Sequence, residues 1–203
     1  MLFAVFMPLV ILVILGIIYG MKPAFEDVGY TFMEQSFGSV CAISICAGRL
    51  MGLPLLVSEY RERKILKHFK VTPISPTKLL FVELSIYVLY CIVSLISCAI
   101  VARLFWNVQL GGNVWAFLGS WLLTMFSTFS IGMLVGGLTK NPKQAAVITS
   151  ILYFPMLIFS GTTLPIEVMP EIMQKIMSVF PLTQGITLMK NTFLGISGGN
   201  IWS

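Results

Sequence analysis

The chain has 203 residues, of which 57% are hydrophobic and 10% charged, with a formal net charge of +5. Its mean hydropathy is +0.93. A soluble domain holds about 25% charged residues, so composition argues against a water-soluble fold and for a chain immersed in lipid.

A bilayer's hydrocarbon, about 30 Å thick, needs roughly 20 apolar residues per helix. Five runs meet that length: residues 1–20, 37–58, 79–102, 114–138 and 145–164. The first has neither the basic start nor the small-residue cleavage site of a signal peptide, and reads as a true span. The runs are continuous rather than alternating, which predicts helices and not barrel strands. The fold class expected is therefore all-α, a polytopic helical membrane protein.

The basic residues set an orientation. Arg61, Arg63, Lys64, Lys67, Lys70 and Lys78 follow the second run, and Lys140 and Lys143 follow the fourth. The opposite side has Lys22, Arg103, Lys175 and Lys190. The positive-inside rule then puts both basic loops and the N-terminus in the cytosol. Tyr19, Trp106 and Trp115 fall where aromatic anchors at the far interface belong.

Segment 59–78 is the densest cluster of charge in the chain. Ile65, Leu66 and Phe69 share one helical face, with Arg61, Lys64, Lys67, His68 and Lys70 around the rest. Glu59 precedes Arg63 by four residues, the favourable order for a helical ion pair worth about 0.3–0.5 kcal/mol. Thr72 before Pro73 ends the helix, because a residue preceding proline avoids the helical region. Two readings stand: a helix on the inner leaflet, or a docking element with Phe69 as anchor. Glu59 and Glu62 count against an anionic leaflet and for a mixed-charge protein surface.

Within the runs, Arg49 lies about 13 Å from the end of the second. It is either a snorkelling side chain eased by Pro54 or an interior partner for an anionic substrate or for Glu83. Gly132, Gly136 and Gly137 allow close helix approach, most simply within one subunit. Cys41, Cys46, Cys91 and Cys98 sit in apolar runs and read as small buried hydrophobes. Beyond Leu164 no run reaches spanning length. In residues 165–194, Met169, Ile172, Met173, Ile176 and Phe180 predict a short amphipathic helix ended by Pro181, with a second over Gln184–Phe193 before Gly195. This segment is either a membrane-surface pair or a cap or re-entrant pair over a pathway.

No G-x-x-x-x-G-K-[ST] motif is present to cradle nucleotide phosphates, and no Ser/His/Asp set or H-E-x-x-H suggests catalysis. His68 has no neighbouring ligands, so a metal is not expected. Positive charge at a membrane face is a poor footprint for nucleic acid.

EYRERKILKHFKVTPISP (Glu59–Pro76) resembles the cytosolic coupling segment of the type-2 permease family of ATP-binding-cassette transporters. That family's pattern runs Glu-Tyr-Arg-Glu-(Arg/Lys)-Gly, a Leu-rich turn, then Thr-Pro-(Ile/Leu)-Ser. Tyr60 through Ser75 match, with Lys64 where the family usually has glycine. FSGTTLPIEVMP followed by FPLT is similar to the family's distal pattern, carried by Ser160, Gly161, Pro165, Pro170, Pro181, Leu182 and Thr183. The resemblance implies an N-in, six-span subunit in the cell membrane, a bacterial inner membrane. It also implies a second permease subunit and cytosolic ATPase subunits that carry the ATP, with no cofactor bound by this chain. Coupling would then fall to Glu59, Arg61, Glu62, Arg63, Ile65, Leu66, Phe69 and Pro73. Neither the helix that precedes the family's first span nor the sixth span is legible, so the chain reads as shortened at both ends. The implied activity is export of an amphipathic drug, antibiotic or lipid, by the drug-exporter branch. The alternatives are polymer export, a regulatory or immunity protein, and an inactive remnant.

Overall fold

In hydrocarbon a backbone must satisfy its own hydrogen bonds, and long apolar runs do so as helices. The computed structural model describes residues 3–19, 31–49, 52–63, 76–108, 111–158 and 180–195. Among them the regular elements are seven α-helices: α1 (Phe3–Tyr19), α2 (Phe32–Arg49), α3 (Gly52–Glu62), α4 (Pro76–Trp106), α5 (Val114–Leu138), α6 (Pro142–Ile158) and α7 (Pro181–Leu194). Of these, α4 and α5 contain apolar windows long enough to cross a membrane.

The run read as one span over 37–58 is covered by two helices. Pro54 stands in the first turn of α3, where a missing N–H is tolerated, whereas inside a longer helix its ring would crowd the carbonyl four residues earlier. Several other ends have local causes. Thr31 and Glu34 cap α2 reciprocally, Thr31 N–H donating to Glu34 Oε2 at 2.9 Å and Glu34 N–H to Thr31 Oγ1 at 3.3 Å. The Asn113 side chain accepts from Trp115 N–H at the start of α5, and that of Asn141 accepts from Gln144 N–H at 2.8 Å at the start of α6.

α2 is the hub. It packs against α1, α3, α4, α5 and α7, and Val40, Cys41, Ala42, Ser44, Ile45 and Cys46 are almost wholly buried. Small side chains on most of its faces let neighbouring backbones come close. The four cysteines are buried. Around the hub, α1 is locked to α4 by Trp106, whose indole lies on Gly16 and donates from Nε1 to the Gly16 carbonyl at 3.0 Å. α3 lies on α5 where Gly136 meets Pro54 and Val57. Much of α4 and one side of α5 turn large apolar side chains outward, among them Phe81, Leu89, Leu104, Leu123 and Phe126, as a lipid-facing surface does.

α7 lies in the bundle. Leu182, Thr183, Gly185, Ile186, Met189 and Phe193 are buried against α5 and α2, so the surface reading does not hold for 181–194. Gly185 sits on the Thr124 side chain with no room for a Cβ. Ser120 and Thr192 share a hydroxyl hydrogen bond at 3.1 Å. Gly112 N–H donates to the Phe193 carbonyl at 2.9 Å. Gly195, in the left-handed conformation at φ 69°, closes the helix with its N–H on the Asn191 carbonyl. With Gly185 beside Thr124 and Gly195 beside Gly111 and Gly112, α7 runs antiparallel to α5, from well inside the bundle to its end.

Candidate coupling site

The charged end of α3 is where the candidate coupling residues begin. Arg63 and Glu59 form the i,i+4 ion pair that their spacing suggests, at 2.9 Å. The Arg63 side chain is exposed and that of Glu59 half-exposed, so the pair is screened by water and adds little to stability. Glu62 is exposed beside them. Ile65, Leu66, Phe69 and Pro73 lie outside the described residues, as do His68 and the lysines at 64, 67 and 70.

Two contacts fasten this end to the rest of the bundle. The Tyr60 hydroxyl donates to Glu83 Oε1 at 3.1 Å, joining α3 to α4 across 23 positions of sequence. The Arg61 guanidinium donates from Nη1 to the Thr139 carbonyl at 3.3 Å. Thr139 is the C-cap of α5, so the cation sits at the negative end of that helix dipole. The Thr139 hydroxyl donates in turn to the Val135 carbonyl at 2.9 Å. The last turn of α3 is thereby bonded to α4 and to the α5–α6 turn that carries Lys140, with Lys143 following in the first turn of α6.

Burial, and then the bond to Glu83, raise the Tyr60 pKa above its ordinary 10.0. The phenol is therefore protonated, and a donor, throughout the neutral range. Glu83, weighed from sequence as a partner for Arg49, is held by Tyr60. Arg49 is the last residue of α2, and its side chain lies outside the described set.

Sequence reasoning placed Tyr60 in the resembling motif without giving it a partner, and missed Thr139. The one available signal was Glu83 itself: a carboxylate inside an apolar run needs a donor, and Tyr60 is the nearest hydroxyl across the basic loop. Of the distal motif, Ser160, Gly161, Pro165 and Pro170 lie outside the described residues. Pro181 occupies the first turn of α7, where its fixed φ suits a helix start. Among the described residues no group of three His, Cys, Asp or Glu side chains is placed to hold a metal.

Comparison with known proteins gives this geometry a family. Residues 29–203 match the family model described as ABC-2 family transporter protein. The chain is similar to the "Inner membrane transport permease YhhJ" of Escherichia coli strain K12, at 28% identity over 157 residues, 75% of this chain and 41% of the relative. It is similar also to the "Probable multidrug ABC transporter permease YbhS" of the same strain, at 25% over 165 residues, 81% of this chain and 43% of the relative. "Nodulation protein J" of Sinorhizobium fredii is 30% identical over 79 residues, 39% of this chain and 30% of that protein. No solved structure matches significantly. The chain thus spans about two fifths of the length of the first two relatives. With the family model covering most of its residues, this helical membrane chain belongs to the ABC-2 transporter family.

Proposed function

We propose that the chain is the membrane-spanning part of an exporter driven by a separate ATP-hydrolysing subunit, and that the segment from Glu59 to Val71 is its coupling element. The observation that carries this reading is the double fastening of α3, by Tyr60 to Glu83 and by Arg61 to the Thr139 carbonyl. A push on residues beyond Arg63 is delivered to α4 and to the α5–α6 turn together, instead of being spent on a loose loop. These 203 residues hold no phosphate-cradling motif, and the energy source proposed is a separate subunit. The cargo proposed is amphipathic, which the multidrug name of one relative supports. Two such permeases form the transporter, surrounded by lipid, with the N-terminus and the basic loops in the cytosol.

The test is a pull-down between the chain and an ATPase subunit encoded beside it. The double variant Phe69→Ala with Glu62→Arg loses the anchor and reverses a charge, and is expected to reduce recovery of the ATPase at least tenfold, the scale of a hot-spot deletion. Undiminished recovery would overturn docking through this segment. For the cargo, co-expression of both subunits is expected to lower cellular accumulation of a fluorescent amphiphile. An unchanged level would exclude export of that compound class.

A further inference from the structure

At the end of the bundle remote from Glu83, α4 and α5 part company. α4 packs on α1 and α2, while α5 packs on α2, α3, α6 and α7. A half-open cleft of about 590 Å³ is left between them, within the range of small-ligand sites. Its floor is aromatic: Phe37 of α2, Phe117 of α5 and Phe193 of α7 are all buried, and their ring centroids lie between 4.9 and 6.1 Å apart. Leu95 lines the α4 wall. The rim is polar, with Arg103 and Asn107 both exposed.

Arg103 stands in the last turn of α4, where a cation is favoured. The acids among the described residues are engaged or distant. Glu34 caps α2, Glu59 pairs with Arg63, Glu83 holds Tyr60, and Glu62 lies at the opposite end of the molecule. An occupant that complements this site has a long apolar body and an anionic head. The guanidinium fork suits phosphate oxygens in particular, and basic sites between spanning helices are suited to acidic lipid headgroups.

We propose that the cleft holds one anionic phospholipid, with an acyl chain over the Phe37–Phe117–Phe193 floor and its headgroup phosphate, its charge not cancelled by a choline or ammonium cation, on Arg103. The lipid seals the gap between α4 and α5, which no described side chain closes. The site needs neither a transport cycle nor an ATPase, so it stands whether or not the coupling reading does.

The experiment uses the full chain in nanodiscs that contain phosphatidylglycerol or phosphatidylcholine with a diazirine in one acyl chain, followed by mapping of the photo-adducts. Adducts on residues 114–118 and on Phe193 are expected about tenfold more with phosphatidylglycerol than with phosphatidylcholine. Arg103→Gln, at an exposed position, brings the anionic lipid down to the level of the zwitterionic one in a protein whose melting temperature is unchanged. Lys143→Gln, at the far end, changes nothing. Ala99→Trp fills the cleft and removes adducts from both lipids. Equal labelling by the two lipids, labelling unaffected by Arg103→Gln, or adducts that persist in a folded Ala99→Trp protein would each overturn the proposal.

Discussion

Replacing Tyr60 by phenylalanine removes one hydroxyl and leaves the Glu83 carboxylate without the partner it has in the structure. The expected loss is about 1 kcal/mol of stability, read as a lower melting temperature of the purified protein. The pH dependence has a definite sign. Because the Tyr60 pKa is raised in the folded chain, the bond contributes fully below the ordinary phenol value of 10.0, and that contribution is lost as pH climbs through the raised value. Melting temperatures of the parent and of Tyr60→Phe should therefore differ at neutral pH and converge in strong alkali. A constant gap would mean that the hydroxyl acts through packing. Gly185 is a second residue whose size is fixed by its neighbour, since a Cβ there would run into the Thr124 side chain. Gly185→Ala is expected to cost about 1–3 kcal/mol through overpacking. Thermal unfolding unchanged from the parent would show that α7 can slide away from α5.

Among the elements, the contact between α3 and α5 offers the clearest test of rigid transmission. A Cβ on Gly136 would stand 2.8 Å from Val57 Cβ and 3.1 Å from Pro54 Cα. Gly136→Ala is thus expected to push the two helices apart and destabilise the chain by about 1–3 kcal/mol. Val57→Ala keeps its Cβ but removes Cγ1, 3.1 Å from the same point, and should restore part of that loss in the double variant, because the sites touch and their effects are not additive. Strict additivity in a double-mutant cycle would place the strain elsewhere. The elements differ in how plainly their sequences declare them. α4 and α5 are long, apolar and bounded by capping residues or proline, so hydropathy alone finds them. α7 is different: Thr183, Gln184, Gly185, Thr187, Lys190, Asn191 and Thr192 dilute its apolar content below anything a transfer scale would bury. It is buried because particular surfaces fit, Gly185 on Thr124 and Thr192 on Ser120, and because serine and threonine hydroxyls are satisfied by helix carbonyls. Leu182, Ile186, Met189 and Phe193 keep a helical spacing that shows a helix, but such fit depends on two distant segments at once, so neither alone shows that the helix is buried in the bundle. The pairing of Tyr60 with Glu83 escaped for the same reason: Glu83 stood out in an apolar run, but nothing local to it names its donor.

For the whole molecule, the buried state of the four cysteines supplies a silent background for measuring orientation. In intact cells, Val114→Cys should react with a membrane-impermeant maleimide, and Lys143→Cys only after the membrane has been opened. Both residues are exposed, so access is set by sidedness and not by packing. The reverse pattern would invert the proposed topology and place the basic loops out of reach of any cytosolic subunit. One helix joins the two faces being compared. Over its 25 residues α5 extends about 37 Å, with no proline in its length. One extremity rests on Arg61 through Thr139, and the other is stitched to α7. A stiff strut anchored in this way makes the posture of one compartment's surface readable at the opposite surface as simple displacement, with no messenger crossing the oily layer between.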